Sequence, residues 1–338
     1  MKLSKIIGLL VLLLLLFIVS FYFWGKNSSF SEEDYTSVST QTIQKLSNSD
    51  TLSIMTFNIG YLSGMTNNLA IDRPESLIRS NLNKTIKLFS KLNPDIIGLQ
   101  EIDFASKRSF FIDQYQSIFK ESEFISAAMA VNWDKNYVPF PYWPFKFHFG
   151  RMYSGQAVLS KFEILKNERM VLPQPESNAF YYNDFYLDRL AQISWLDFRD
   201  TKLLVINVHF EAWDGPTREV QAKLVMDFYR EYMEDYPIII LGDFNCNPPF
   251  SKNAFRESTI QLILDEPNLG MCLDITDFKA NEFDYYTFSS ETPQNKIDYI
   301  LYNTKFFDCL ESTVIIEAGQ ISDHLPVMAK LLYHPEQK

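Results

Sequence analysis

Cysteine is scarce. The chain holds only Cys246, Cys272 and Cys309, an odd number too small for a disulfide framework. They read as ordinary buried or half-buried thiols, one pair of which could join if the protein is exported. No HExxH, no Walker A loop and no GxSxG elbow is present, so zincin, P-loop and α/β-hydrolase chemistry have no support. No repeat with a period of roughly 20 to 50 residues is present either, which excludes solenoids and propellers. Cationic residues are outnumbered: 31 Lys and Arg face 42 Asp and Glu, giving a net charge of −11. A surface of that sign disfavours generic attachment to nucleic-acid phosphates, although a local basic groove fits within an acidic total.

What is present begins with a long apolar run. Ile6 to Trp24 is an uncharged stretch of 19 residues preceded by Lys2 and Lys5, about the length that crosses a bilayer. We read it as an uncleaved anchor rather than a signal peptide, because Ser20-Phe21-Tyr22-Phe23-Trp24 offers no small-x-small cleavage pattern. The lysines before the span, with Glu32, Glu33 and Asp34 beyond it, place the N-terminus in the cytosol and the body of the protein outside it. Residues 1–26 are thus the expected anchor, 27–50 a polar tether without periodicity, and 51–338 one catalytic domain, 338 residues in all with 46% hydrophobic content.

Within that domain one grammar recurs: a strand-like apolar run that ends in a polar group. Pro237-Ile238-Ile239-Ile240-Leu241-Gly242 delivers Asp243 and, two residues on, Asn245. Leu52 to Phe57 delivers Asn58, Asp95 to Gln100 delivers Glu101, and Leu203 to Val208 delivers His209. Asp298 lies inside Lys296–Leu301, and Asp323-His324 precedes a last strand. Helices are expected over Pro74–Leu92, with Ile78, Leu82, Ile86 and Phe89 inward, and over Thr217–Tyr236, with Val220, Leu224, Val225 and Phe228 inward. So many strands with few helices predict an α/β (α+β) four-layer sandwich, two packed sheets flanked by helices. The segment Val138–Gly150, with three prolines and six aromatics, is neither helix nor central strand; it either faces lipid or ligand, or caps the core.

Hard oxygen donors without a Cys or His cluster point to Mg²⁺, or to Mn²⁺ or Ca²⁺, rather than to structural zinc. Phosphoester hydrolysis needs such an ion, a carboxylate that takes a proton from water, and imidazole or amide donors for the charge built on phosphorus oxygens. Each residue alone has a plainer reading: Asn58 as a turn former, Glu101 as a solvated acid, His209 as a core histidine. Asp298, between Ile297 and Tyr299, needs a partner if buried.

Thr56-Phe57-Asn58, Leu99-Gln100-Glu101, Asn207-Val208-His209, Gly242-Asp243-Phe244-Asn245, Ile297-Asp298-Tyr299 and Ser322-Asp323-His324, in this order, resemble the endonuclease/exonuclease/phosphatase superfamily. The resemblance implies that Glu101 is the principal metal ligand with Asn58 and Asp323 near the ion. It implies that Asp243 and Asn245 position or deprotonate water and hold the phosphate. His324, oriented by Asp298, and His209 would donate to the phosphate. Arg189 reads as a bidentate phosphate donor or as a surface ion pair. Arg218 and Gln221 read as braces of the loop after His209.

The resemblance gives a reaction type rather than a substrate. Cys246-Asn247 after the Gly-Asp-x-Asn motif disfavours the inositol 5-phosphatase branch, and Gly60 disfavours the apurinic endonuclease branch. The expected substrate is a phosphodiester, and the anchor, the acidic balance and the aromatic loop favour a phospholipid headgroup, sphingomyelinase-like. An anchored or exported DNase I-like nuclease is the alternative, and an inactive binding module on the same fold a third. No obligate protein partner is inferred beyond the membrane.

Overall fold

The computed structural model describes residues 2–42, 50–254 and 258–335. In chain order the strands are β1 (Thr36–Thr40), β2 (Thr51–Asn58), β3 (Ile96–Asp103), β4 (Ser126–Val138), β5 (Gly150–Ser160), β6 (Ile164–Leu172), β7 (Arg189–Phe198), β8 (Thr201–His209), β9 (Ile238–Asp243), β10 (Leu269–Met271), β11 (Asp298–Asn303), β12 (Phe307–Val314) and β13 (Val327–Tyr333). The helices are α1 (Lys2–Lys26), α2 (Glu75–Leu92), α3 (Gln114–Lys120), α4 (Phe180–Asn183), α5 (Gly215–Tyr232), α6 (Thr259–Leu264) and α7 (Ile275–Ala280). Two mixed sheets form, one in the order β1-β4-β5-β3-β2-β13-β12 and the other β10-β11-β9-β8-β7-β6.

Alternation along each strand sorts the apolar residues into three layers of core. Ile54 of β2, Val205 of β8, and Ile239 and Leu241 of β9 pack between the sheets. Met55 and Phe57 of β2 face α2 and α3, while Ile238 and Ile240 face α5 and α6. The sandwich therefore has helices outside both sheets. A strand covered on both faces needs no polar side, which is why β9 reads as an unbroken apolar run.

Two expectations change. The stretch read as a tether contains β1, which pairs antiparallel with β4 from Thr36↔Ala130 to Thr40↔Ser126. Ser, Thr and Val suit an edge strand, whose outer rim needs no apolar face. Residues 43–49 of that stretch lie outside the described residues. On α5 the buried stripe is Arg218, Gln221, Ala222, Val225, Met226 and Tyr229, whereas Val220 and Leu224 are 46% and 39% exposed. Arg218 and Gln221 occupy inward positions because both bond Glu211: Gln221 Oε1 accepts from Glu211 N at 2.7 Å, and Arg218 donates to the Glu211 carbonyl. The α5 helix is capped by Asp214, whose side chain accepts from Thr217 N at 2.8 Å.

Candidate active site

The site continues the inter-sheet core beyond its last apolar layer. Asp243 has the parity of Ile239 and Leu241, His209 that of Val205, Asp298 that of Ile300, and Asn58 that of Ile54, all of which face the opposite sheet. Register does the rest: β11 and β9 pair Asp298 with Asp243, and β9 and β8 pair His209 with Asp243. One row of three polar residues thus crosses three neighbouring strands. Asn58, His209 and Asp243 also end strands of the parallel pairs β2/β3 and β8/β9, and carboxyl ends of such strands are where α/β folds place sites.

Glu101 would point the other way by alternation, toward Phe57 and the outer helices. A bulge between Leu99 and Ile102 on β3, with Glu101 at φ 51°, interrupts that alternation. It brings the carboxylate to Asn58, whose Nδ2 donates to Glu101 Oε1 at 3.1 Å and to Asp243 Oδ2 at 3.0 Å. Asn58 is thereby a bridge between the two sheets and between two acids. A non-glycine residue held at that φ costs about 1–3 kcal/mol.

Asp243, Asp298 and His324 gather so closely that one ligand atom from each lies within 4.8 Å of the others. His324 Nδ1 is 3.0 Å from Asp298 Oδ2, and its Nε2 is 3.7 Å from Asp243 Oδ2. Burial alone would discharge this imidazole, yet Asp298 and Asp243 raise it to about 10. Burial pushes the Asp243 carboxyl up to about 7, against the pull of His324.

His209 differs. Its pKa is depressed well below the usual value by burial, by the Arg189 cation and by His324. Arg189 Nη1 lies 2.7 Å from His209 Nε2 and, being a pure donor, makes that nitrogen the acceptor. The ring is neutral, and its Nε2 is engaged by Arg189 rather than offered to a phosphate. Arg189 is itself buried and pairs with Glu211 at 3.3 Å and Tyr186 Oη at 2.9 Å, so its ion pair is an interior one and not a surface one. Asn245 caps the end of β9: its backbone N donates to Asp243 Oδ1 at 2.9 Å, and its Nδ2 to the Phe210 carbonyl at 3.0 Å.

A residue absent from the sequence reading is Asn67. Its Nδ2 donates to Glu101 Oε2 at 3.3 Å and to Asp323 Oδ1 and Oδ2 at 3.3 and 3.1 Å, while its buried Oδ1 has no hydrogen-bond partner among the described residues. It comes from an irregular loop, where no periodicity marks it; the Asn67-Asn68 pair is the only cue. Two carboxylates drawn to one amide, with an unpaired amide oxygen beside them, suit a hard divalent cation. Glu211 and Tyr186, which hold Arg189, were likewise unmarked, although Glu211 follows His209 by two residues.

A search of the curated proteins found no match. Among solved structures, an endonuclease/exonuclease/phosphatase from Beutenbergia cavernae is similar, with a TM-score of 0.60 at 18% identity over 84% of this chain and 72% of that one. Humanized D. rerio TDP2 gives 0.57 at 17% identity, over 84% and 99% of the two chains. The human Nocturnin catalytic domain, solved with a sulfate anion, gives 0.57 at 15% identity, over 88% and 98%. At such identities these likenesses show the fold. The sequence model of the Endonuclease/Exonuclease/phosphatase family spans residues 55–324, from the strand that ends in Asn58 to His324 itself, and the chain belongs to that family.

Proposed function

We propose that the protein is a divalent-metal-dependent phosphodiesterase, anchored by residues 1–26 on the non-cytoplasmic side of a membrane, that releases phospholipid headgroups. The observation that carries the hydrolase reading is the Asp243–Asp298–His324 cluster, whose charges are set by its own neighbours. Asp243, near 7, is poised to take a proton from water. His324, fixed by Asp298 and charged, presents Nε2 to a phosphate oxygen and stabilises the charge that grows there. Arg189, kept charged against its burial by Glu211, Glu101 and Asp243 and donating to the Tyr186 hydroxyl, supplies a second cation through the wall of the site, with His209 as its neutral support. Glu101 and Asp323, with Asn67 between them, are the groups that would hold the ion, and Asn58 ties Glu101 to Asp243. The ion, Mg²⁺ or Mn²⁺ or Ca²⁺, supplies Lewis-acid polarisation of the phosphate. The lipid specificity is supported by α1, whose exposed apolar length suits a bilayer, and by exposed aromatics beside it.

The test uses the full chain in nanodiscs, with Mg²⁺ or with chelator, on sphingomyelin-containing bilayers and on plasmid DNA in parallel. Metal-dependent headgroup release is the expected result. DNA cleavage without lipid turnover would overturn the lipid reading and make the protein an anchored nuclease.

A further inference from the structure

The end of α1 does not run into a slack connection. The Phe21 ring lies 5.1 Å from that of Tyr137, the Tyr22 ring 5.6 Å from that of Phe185, and Lys26 pairs with Asp184 at 3.0 Å. Directly after it, Asp134 Oδ2 accepts from Ser29 N at 2.9 Å, Phe30 N at 3.0 Å and Tyr35 Oη at 3.2 Å, and β1 then joins β4. Every few residues between the apolar helix and the sheet are thus bonded to the catalytic domain.

From that junction a path of rings leads outward. Tyr137 lies 5.6 Å from His148, His148 lies 5.3 Å from Phe145, and Phe145 lies 4.9 Å from Trp143. The path ends in solvent: Tyr142, Trp143 and Phe145 are 60%, 70% and 66% exposed. On α4, just before the Phe185 that holds Tyr22, Phe180 and Tyr181 are 74% and 60% exposed. The apolar run Ile6–Trp24 of α1 measures about 28 Å at 1.5 Å per residue, close to the roughly 30 Å of a hydrocarbon core. Phe21 to Trp24 therefore stand at the level of the headgroups, where Trp and Tyr are favoured. Rings linked to that level by direct contact stand near it too.

Both aromatic segments also connect, through one further ring, to residues next to the site. Phe149, at the root of the loop, packs 6.0 Å from Tyr61, three residues beyond Asn58. Tyr182 of α4 packs 5.2 Å from Tyr186, whose hydroxyl accepts from Arg189.

We propose that the loop tip Tyr142–Phe145, with Phe180 and Tyr181, rests in the interfacial layer of the bilayer that α1 spans, so that the acid-lined site meets headgroups of that same leaflet. The inference rests on the reading of α1 as a retained span, and it deepens the lipid reading by fixing how the domain sits on its substrate. The domain is a clamp on the membrane surface rather than a body swinging on a tether.

The experiment takes the full chain in phosphatidylcholine–sphingomyelin nanodiscs, in a Cys309→Ser background. A fluorophore is placed at Trp143→Cys or, as control, at Ile316→Cys, which follows β12 at the opposite edge of the seven-stranded sheet from β1 and β4. Nitroxide lipids should quench the probe at 143 at least about twofold more than the probe at 316. Equal quenching overturns the proposal, and so does the unquenched probe that a protein partner or a second copy covering the loop would give. In a kinetic arm, Trp143→Ser with Phe145→Ser should slow headgroup release about tenfold and leave hydrolysis of a water-soluble aryl phosphodiester unchanged. Equal loss on both substrates would make the loop a structural cap and overturn the contact. Quenching at 143 without any headgroup release would support the contact while removing the lipid substrate.

Discussion

His324 carries the sharpest consequence at the scale of a residue. With Nδ1 held by Asp298 and the ring charged, its loss would, on the proposed mechanism, remove the donor to the phosphate. His324→Ala and Asp243→Asn should each lower kcat by about 10²-fold or more with the far-UV circular dichroism intact. Unchanged turnover in either would remove that residue from the mechanism. Asn67 invites a different measurement. Asn67→Ala frees Glu101 and Asp323 to repel one another, and Mn²⁺ binding followed by calorimetry should weaken about tenfold or more. An unaltered Kd would show that the amide does not assemble the acids. The sequence announces Asp243, Asp298 and His324 because they end, interrupt or precede an apolar run. It is silent on Asn67, whose partners lie 34 and 256 residues away along the chain.

At the scale of the element, the glycine of Gly242-Asp243 is what allows β9 to deliver its carboxylate. Gly242 has φ 143°, and a Cβ there would stand 2.0 Å from the Val208 carbonyl oxygen of β8. Gly242→Ala should therefore cost more than about 3 kcal/mol in urea melts, since neither backbone can yield without breaking the β8/β9 ladder. A loss under about 1 kcal/mol would mean that the strands part easily there. Alternation made β2, β8 and β9 legible, including which side chains reach the inter-sheet face. It fails at Glu101, because a bulge is a tertiary accommodation that shifts the register against β5. On α5 helical spacing misplaces Val220 and Leu224, which are exposed, while Arg218 and Gln221, read as braces of the loop after His209, are inward because their bonding partner is the loop backbone at Glu211.

For the whole molecule, the raised pKa values of Asp243 and His324 and the depressed one of His209 shape the dependence on pH. Asp243 rises from 3.8 to about 7 and His324 from 6.5 to about 10 on folding. Both bind their protons more tightly in the native state, so the stability each contributes is full below its unfolded value and is lost as pH rises through its folded one. Metal-free protein should accordingly lose Tm in an upper window, from about 6.5 to 10, whereas below about 6.5 the buried neutral His209, whose pKa is depressed on folding, adds stability as pH rises and opposes the loss from Asp243. Asp298→Asn should flatten the upper window in differential scanning calorimetry. A Tm that climbs across the upper window would contradict the charged pairing of His324.

The sequence by itself determined the apolar N-terminal helix, from its composition, and the two-sheet architecture and the strand-end positions of Asn58, His209, Asp243 and Asp298, because burial on a pleated surface repeats every two residues and any departure stands out. Only the tertiary structure decided that these ends meet from two sheets through Asn58, that Asn67 joins Glu101 to Asp323, that Arg189 occupies His209 Nε2, and that the presumed tether is a strand fastened to β4. Those facts depend on which backbone groups and charges are brought together across long stretches of chain, and no local period of the sequence encodes such a meeting.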